Sequence, residues 1–365
     1  MVAAGVACSH SEPFASRPYT TDGPFSGAIP HRITFNPGDD RTPTWLPDGS
    51  GILYSSERED RRDHDRCIAQ LPPDGGTVVR YLCETDPIQD DSTNVYESAS
   101  VAPDGRMLFF ETTGWIGQHK GPEGGIMLST VNDPQQATRL RRVPYPGPSG
   151  RQHSSLRLIR WLSPKTAVYL GERLFYEGST FLPDTFITGQ EVVRLDLGGA
   201  APGFAMVPGT DYASSVALSG EPGVIYYTLG GDSKVYRQEL SSGSVTVVHD
   251  FGLAGIARDV QVNVNVLVAV VGGSVLFRNE SANGWVQRDE GGELHIMDRA
   301  SGSETVFTGR EPAFAPDSVL FRHPELSPDG AHLVVEVTPW APVHAFPQSG
   351  FTALNHRADL WIFEP

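Results

Sequence analysis

Glu325-Leu-Ser-Pro-Asp-Gly-Ala-His-Leu-Val-Val335 recurs with small changes as Thr44-Trp-Leu-Pro-Asp-Gly-Ser-Gly-Ile-Leu-Tyr54 and as Ser100-Val-Ala-Pro-Asp-Gly-Arg-Met-Leu-Phe-Phe110. Each copy is a short strand, a Pro-Asp-Gly turn and an apolar strand. Proline pre-sets φ, aspartate caps the turn and glycine takes the left-handed position, so the turn has a physical cause. Trp161-Leu-Ser-Pro-Lys-Thr-Ala-Val-Tyr169 and Ala217-Leu-Ser-Gly-Glu-Pro-Gly-Val-Ile-Tyr-Tyr227 are degenerate copies. Val260-Gln-Val-Asn-Val-Asn-Val-Leu-Val-Ala269 keeps only the paired-strand pattern.

Outward from each of these pairs comes a second hairpin. Val192-Val-Arg-Leu-Asp-Leu-Gly-Gly199 is one instance, and Lys234-Val-Tyr-Arg-Gln-Glu-Leu-Ser-Ser-Gly243 leading to Val245-Thr-Val-Val248 is another. Four strands per repeat of roughly 40 to 60 residues make the blade of a propeller. Six repeats begin near positions 41, 95, 154, 211, 256 and 320. The last has three strands before the chain ends at Asp359-Leu-Trp-Ile-Phe-Glu364, while His31-Arg-Ile-Thr-Phe35 is a spare strand at the other end. Pairing it with Leu360 to Phe363 closes the ring and removes an exposed sheet edge. The expectation is an all-β, six-bladed β-propeller of four-stranded antiparallel blades, closed by an N-terminal strand.

The Pro-Asp-Gly turn followed by an apolar strand, then an Asp-Leu-Trp-Ile type strand, resembles the TolB-type propeller repeat over about residues 31 to 365. That resemblance implies the fold and leaves function open, because one propeller serves as adaptor, sensor or lid. The N-terminal α/β domain that TolB carries has no counterpart in the pattern here. Residues 9 to 30 hold prolines and small residues without a strand pattern and read as a flexible tether.

Composition agrees with many short strands. The 39 Gly and 29 Pro are scattered as turn punctuation between apolar runs. A formal net charge of −16 argues against a nucleic-acid partner, which needs clustered Lys and Arg. No apolar run reaches the roughly 18 residues of a membrane span. Met1-Val-Ala-Ala-Gly-Val-Ala-Cys8 resembles the tail of a bacterial lipoprotein signal, with Cys8 as the lipidated residue. It is short for a complete signal, and an ordinary terminus is the alternative.

Cys67 and Cys83 flank Pro72-Pro73-Asp74-Gly75-Gly76, a hairpin turn. Counting outward from a three-residue loop sets Cys67 opposite Cys83, close enough for a disulfide. Two buried free thiols in a cytosolic protein are the other reading. The pairing and the lipobox-like start together suggest the periplasm or an outer-membrane-anchored lipoprotein.

Connectivity sorts the connections onto two faces. Insertions near 57–66, 111–125, 173–189, 272–291 and 338–358 all fall opposite the Pro-Asp-Gly turns and are expected as long loops. They carry aromatics such as Trp115 and Trp340. Aligning the repeats on the turn puts Arg41, Glu97, Leu158, Ser214, Arg258 and Arg322 at one level of the channel, with His323 beside them. Gly-x-Ser-x-Gly, His-Glu-x-x-His, a phosphate loop, a dinucleotide fingerprint and a paired-Cys zinc pattern are all missing. The expectation is therefore a non-catalytic binding or scaffold propeller of the cell envelope, monomeric, without metal or cofactor. Arg41, Glu97, Arg258, Arg322, His323, Trp115 and Trp340 would meet a protein, peptide or glycan ligand. The alternative is a channel-centred, metal-dependent lyase or hydrolase acting on a glycan or peptide.

Overall fold

The computed structural model describes residues 30–35, 39–57, 66–78, 80–83, 92–115, 123–143, 152–177, 184–272, 275–279, 284–288, 292–314, 318–340 and 358–365. Six four-stranded antiparallel blades form a ring, a six-bladed β-propeller. β1 (His31–Arg32) is held back for the last blade. Blade one is β2 (Asp40–Trp45), β3 (Ile52–Glu57), β4 (Arg66–Leu71) and β5 (Arg80–Leu82). Blade two is β6 (Ser92–Val101), β7 (Arg106–Trp115), β8 (Glu123–Thr130) and β9 (Asp133–Val143). Blade three is β10 (Gln152–Ser163), β11 (Thr166–Glu177), β12 (Asp184–Asp196) and β13 (Gly203–Met206). Blade four is β14 (Ala213–Ala217), β15 (Val224–Leu229), β16 (Lys234–Glu239) and β17 (Val245–Asp250).

Blade five is β18 (Ile256–Val262), β19 (Val266–Gly272), β22 (Glu293–Asp298) and β23 (Glu304–Phe307). A separate hairpin of β20 (Val275–Asn279) and β21 (Gly284–Arg288) is inserted between its second and third strands. Blade six takes β24 (Ser318–Leu326), β25 (Leu333–Trp340) and β26 (Asp359–Phe363), and β1 completes it with His31 opposite Ile362 and Arg32 opposite Trp361. The Ile33 amide extends that pairing to the Leu360 carbonyl at 2.8 Å. The ring thus closes by joining the two ends of the chain.

The three Pro-Asp-Gly turns are built alike. Gly49, Gly105 and Gly330 have φ of 72°, 84° and 73°. Their amides donate to Leu46, Ala102 and Ser327 carbonyls at 2.9, 2.9 and 2.8 Å. Each aspartate accepts the amide two residues on, at 3.0 Å from Ser50, 3.2 Å from Arg106 and 3.0 Å from Ala331. This is a type I turn with a left-handed residue after it, the geometry that proline and glycine at those places favour.

The second strand of every blade explains the core. Its residues alternate between the two neighbouring blades, so both faces are apolar. Leu333, Val335 and Val337 pack toward blade five, while Val334 packs toward blade one. Ile52 and Tyr54 face blade six, and Leu53 faces blade two. Ala167 and Tyr169 face blade two, and Val168 and Leu170 face blade four. Each blade junction therefore carries its own buried cluster, and no single central core exists. The middle of the ring is left to polar side chains.

One expectation changes here. The segments 111–125, 173–189 and 272–291 are mostly paired strand, not loop. β7 and β8 stay in register as far as Thr113 opposite Glu123, and β11 and β12, past a register shift between Arg173 and Leu174, stay paired as far as Glu177 opposite Asp184. Thr112, Thr113, Phe175, Tyr176, Phe186 and Ile187 are β-branched or aromatic residues that keep the hairpins going beyond the blade. Cys67 and Cys83 are joined by a disulfide with Cα atoms 4.7 Å apart, continuing the register that sets Ile68 opposite Leu82.

Candidate active site at the channel mouth

The six innermost strands β2, β6, β10, β14, β18 and β24 line the channel, and every one carries a bulge at the same level. The register slips between Arg41 and Thr44, Glu97 and Ser100, Arg157 and Arg160, Ala213 and Ser215, Ala257 and Asp259, and Arg322 and Glu325. A bulge bends its strand and re-aims side chains, and such bulges gather beside active sites. In four of the six the extra residue takes the left-handed conformation: Thr42 at φ 51°, Ser98 at 55°, Leu158 at 49° and His323 at 42°. Non-glycine residues hold that conformation only where their surroundings enforce it. In blades one and six the extra pair is Thr42-Pro43 and His323-Pro324, and proline fits a position that owes no ladder hydrogen bond.

His323 shows what enforces it. Its backbone amide donates to Asp259 Oδ2 at 3.0 Å, and its ring Nδ1 lies 2.8 Å from Glu336 Oε2. The same Glu336 oxygen accepts the Thr42 amide at 3.2 Å, so blades one and six meet on Glu336 while His323 ties them to blade five. His323, Glu336 and Asp259 are all buried. Burial alone would raise the Glu336 carboxyl, but the charge and hydrogen bond of His323, then Arg41 and Arg322, bring it down to about 2. Arg322 Nε stands 3.8 Å from Asp259 Oδ2, and an Arg41 terminal nitrogen is 2.6 Å from Asp39.

Beyond the bulges, nearer the Pro-Asp-Gly turns, the channel is crossed by a second polar layer. Arg160 of blade three reaches Glu325 of blade six at 2.6 Å. In a ring of six those blades are opposite, so the pair spans the channel. Gln261 of blade five donates to the same carboxylate oxygen at 2.6 Å. Burial raises the Glu325 carboxyl to about 7 against the pull of Arg160.

Of the residues singled out by sequence, the fold brings Arg41, Arg322 and His323 together around Glu336. Glu97 occupies the equivalent bulge on blade two and is half-buried. Arg258 is the bulged residue of blade five, buried at 5% exposure, with its carbonyl accepting Thr228 Oγ1 at 2.9 Å. Its backbone there ties the junction of blades four and five. Trp115 and Trp340 end β7 and β25, and their side chains lie outside the described residues, as does Cys8. Glu336, Asp259, Arg160, Glu325 and Gln261 were not singled out. Their signal was present as charge inside apolar strands, as in Val334-Val335-Glu336-Val337.

No family model and no curated protein matches the chain. Solved structures do. A regucalcin of Agrobacterium tumefaciens, described as a calcium-binding protein, aligns at TM-score 0.52 and 13% identity over 94% of this chain and 97% of that one. A gluconolactonase of Xanthomonas campestris aligns at 0.51 and 13%, again over 94% and 97%. A TolB-type protein of Agrobacterium tumefaciens aligns at 0.50 and 15%, over 86% and 97%. Likeness at this identity speaks to the fold, and it extends to more than the TolB type.

The expectation of a non-catalytic scaffold is corrected by this finding. Propellers of this shape include a gluconolactonase aligned over nearly its whole length, so the fold does not stand for a scaffold.

The metal-dependent part of that alternative meets a different obstacle. Among the described residues no three His, Cys, Asp or Glu side chains gather to hold an ion. Asp259 and Glu336 already accept hydrogen bonds from His323 and Thr42, and both lie beside arginines. This donor set does not fit a calcium ion, which takes six to eight oxygens.

Proposed function

We propose that this protein is a hydrolase whose reaction takes place in the channel mouth, with His323 as general base oriented by Glu336. The observation that carries the reading is the buried contact of His323 Nδ1 with Glu336 Oε2 at 2.8 Å. An ionised carboxylate on Nδ1–H fixes the neutral tautomer whose Nε2 takes a proton, the role a carboxylate plays toward histidine in hydrolytic triads. Water loses a proton to Nε2 as its oxygen attacks an acyl carbon. The C–O bond then breaks, and the leaving oxygen takes the proton back from His323.

The polar mouth, with the Arg160–Glu325 pair crossing the channel beneath it, suits a small, hydroxyl-bearing ester or lactone better than a polymer threaded through the ring. The gluconolactonase likeness gives sugar lactones as the first class to try. The protein is assayed by pH-stat on glucono-lactone and by absorbance on p-nitrophenyl acetate. Wild type is expected to exceed the spontaneous rate, and His323→Ala to lose about 100-fold or more in kcat, the usual worth of a general base. Hydrolysis at the spontaneous rate throughout, or a His323→Ala rate equal to wild type, contradicts the proposal.

The same proposal keeps a TolB-type kinship on the strength of the Pro-Asp-Gly turns, and places the chain as a monomer in the bacterial envelope. The Cys67–Cys83 disulfide supports an oxidising compartment. Two free thiols in unreduced exported protein, read by mass spectrometry, would count against that placement.

A further inference from the structure

We propose that Arg322 and Arg41 are the built-in cations of this mouth: they meet the substrate carbonyl where a divalent metal would otherwise do so, and hydrolysis needs no metal ion. The inference rests on the hydrolytic reading above and adds to it the source of electrophilic assistance.

The charges of the mouth are ordered from the solvent inward. The Arg322 and Arg41 side chains are 26% and 35% exposed, while those of Asp259 and Glu336 are 6% and 5% exposed. A molecule entering the mouth meets guanidinium first and carboxylate second. The carboxylates face inward onto His323 and the Thr42 amide. A divalent ion reaching them would have to displace two arginines that never lose their charge. A carbonyl oxygen gaining negative charge beside these guanidinium groups meets positive charge fixed in advance, which is the preorganisation that stabilises an oxyanion. Arg41 is steadied by Asp39 and Arg322 by Asp259, so both are held at the mouth and not swung into solvent. The same two arginines also keep Glu336 ionised beside His323, which couples the positive rim to the base beneath it.

Two readouts test this, and one does not involve activity. Calcium chloride is titrated into wild type and into Arg41→Met/Arg322→Met while the melting temperature and heat of binding are followed. Wild type is expected to stay silent. The double variant, with its carboxylates uncompensated, should acquire a calcium-dependent rise of about 3 °C or more at millimolar ion. If the double variant does not fold, Arg322→Met alone is read in the same way. In the second readout, wild-type hydrolysis in excess EDTA should stay within about twofold of the untreated rate, and Arg322→Gln should lower kcat by about 10-fold or more. Calcium binding by wild type that Glu336→Gln abolishes, a folded variant that stays silent, or activity lost in EDTA and restored by a divalent ion would each overturn the inference. If wild type hydrolyses nothing, the hydrolytic reading falls while the calcium titration still decides the charge assignment.

Discussion

Glu336 and Glu325 belong to one blade, lie beside one channel and end at opposite extremes. The first is held at about 2 and the second is pushed up to about 7. Burial presses on both in the same direction. What differs is the company. Glu336 has His323, Arg41, Arg322 and the Thr42 amide, whereas Glu325 has Arg160 and a neutral amide from Gln261. One cation does not offset the desolvation of a carboxylate, while several charges and donors do. The mouth layer is thus a place where charge is kept, and the floor layer a place where it is easily given up.

The comparison can be broken most forcefully at Glu336. Glu336→Gln leaves the buried His323 ring and the Thr42 amide without their carboxylate partner. It should cost about 3–5 kcal/mol in urea unfolding, the usual penalty for halving a buried pair. Arg160→Met should cost less, about 1–3 kcal/mol, because Glu325 can take up a proton instead of staying charged. Equal losses would mean that the two layers do not differ as described.

The pH dependence sharpens the same point. Glu325 is raised from its ordinary 4.5 to about 7, so the folded state holds the proton more tightly than the unfolded chain. Its contribution is fully present below about pH 4.5 and is lost as pH rises through about 7. Asp359, raised to about 6 by burial against its pair with Arg32, acts in the same sense. Glu336 acts in the opposite sense, with stability present above about 4.5 and lost as pH falls toward 2. Glu325→Gln should therefore gain about 1–3 kcal/mol relative to wild type between pH 5 and pH 8, measured by urea unfolding at both. A relative loss over that interval would reverse the assignment. The smallest effect belongs to Trp45, whose Nε1 donates to the Glu325 carbonyl at 2.9 Å across the junction of blades one and six. Trp45→Phe should cost about 1 kcal/mol and leave hydrolysis unchanged, checked by melting and by rate.

Much of the fold is visible in the chain because its signals are local. Pro-Asp-Gly sets its own turn, and the alternation of Leu333, Val334 and Val335 between two junctions appears as an unbroken apolar run. The level of the bulges is also visible, since aligning the repeats brings Arg41, Glu97, Arg258 and Arg322 to it. What lies across the ring is not. Glu336 reaches His323 on the neighbouring strand and Thr42 on the next blade, and Arg160 meets Glu325 from the opposite side. Those meetings depend on ring closure and on bulges that carry no motif beyond Thr42-Pro43 and His323-Pro324. Repeat alignment likewise does not show that Arg258 is itself the bulged residue, whereas Arg41, Glu97 and Arg322 are the paired residues before their bulges.

The most direct measurement sets the two layers side by side: kcat/KM for a hydrolysed ester or lactone in wild type, His323→Ala and Glu325→Gln, each verified as folded by circular dichroism. The account predicts a loss of about 100-fold or more for His323→Ala and a change within about threefold for Glu325→Gln. Equal losses in both variants, or a His323→Ala enzyme as active as wild type, would contradict it.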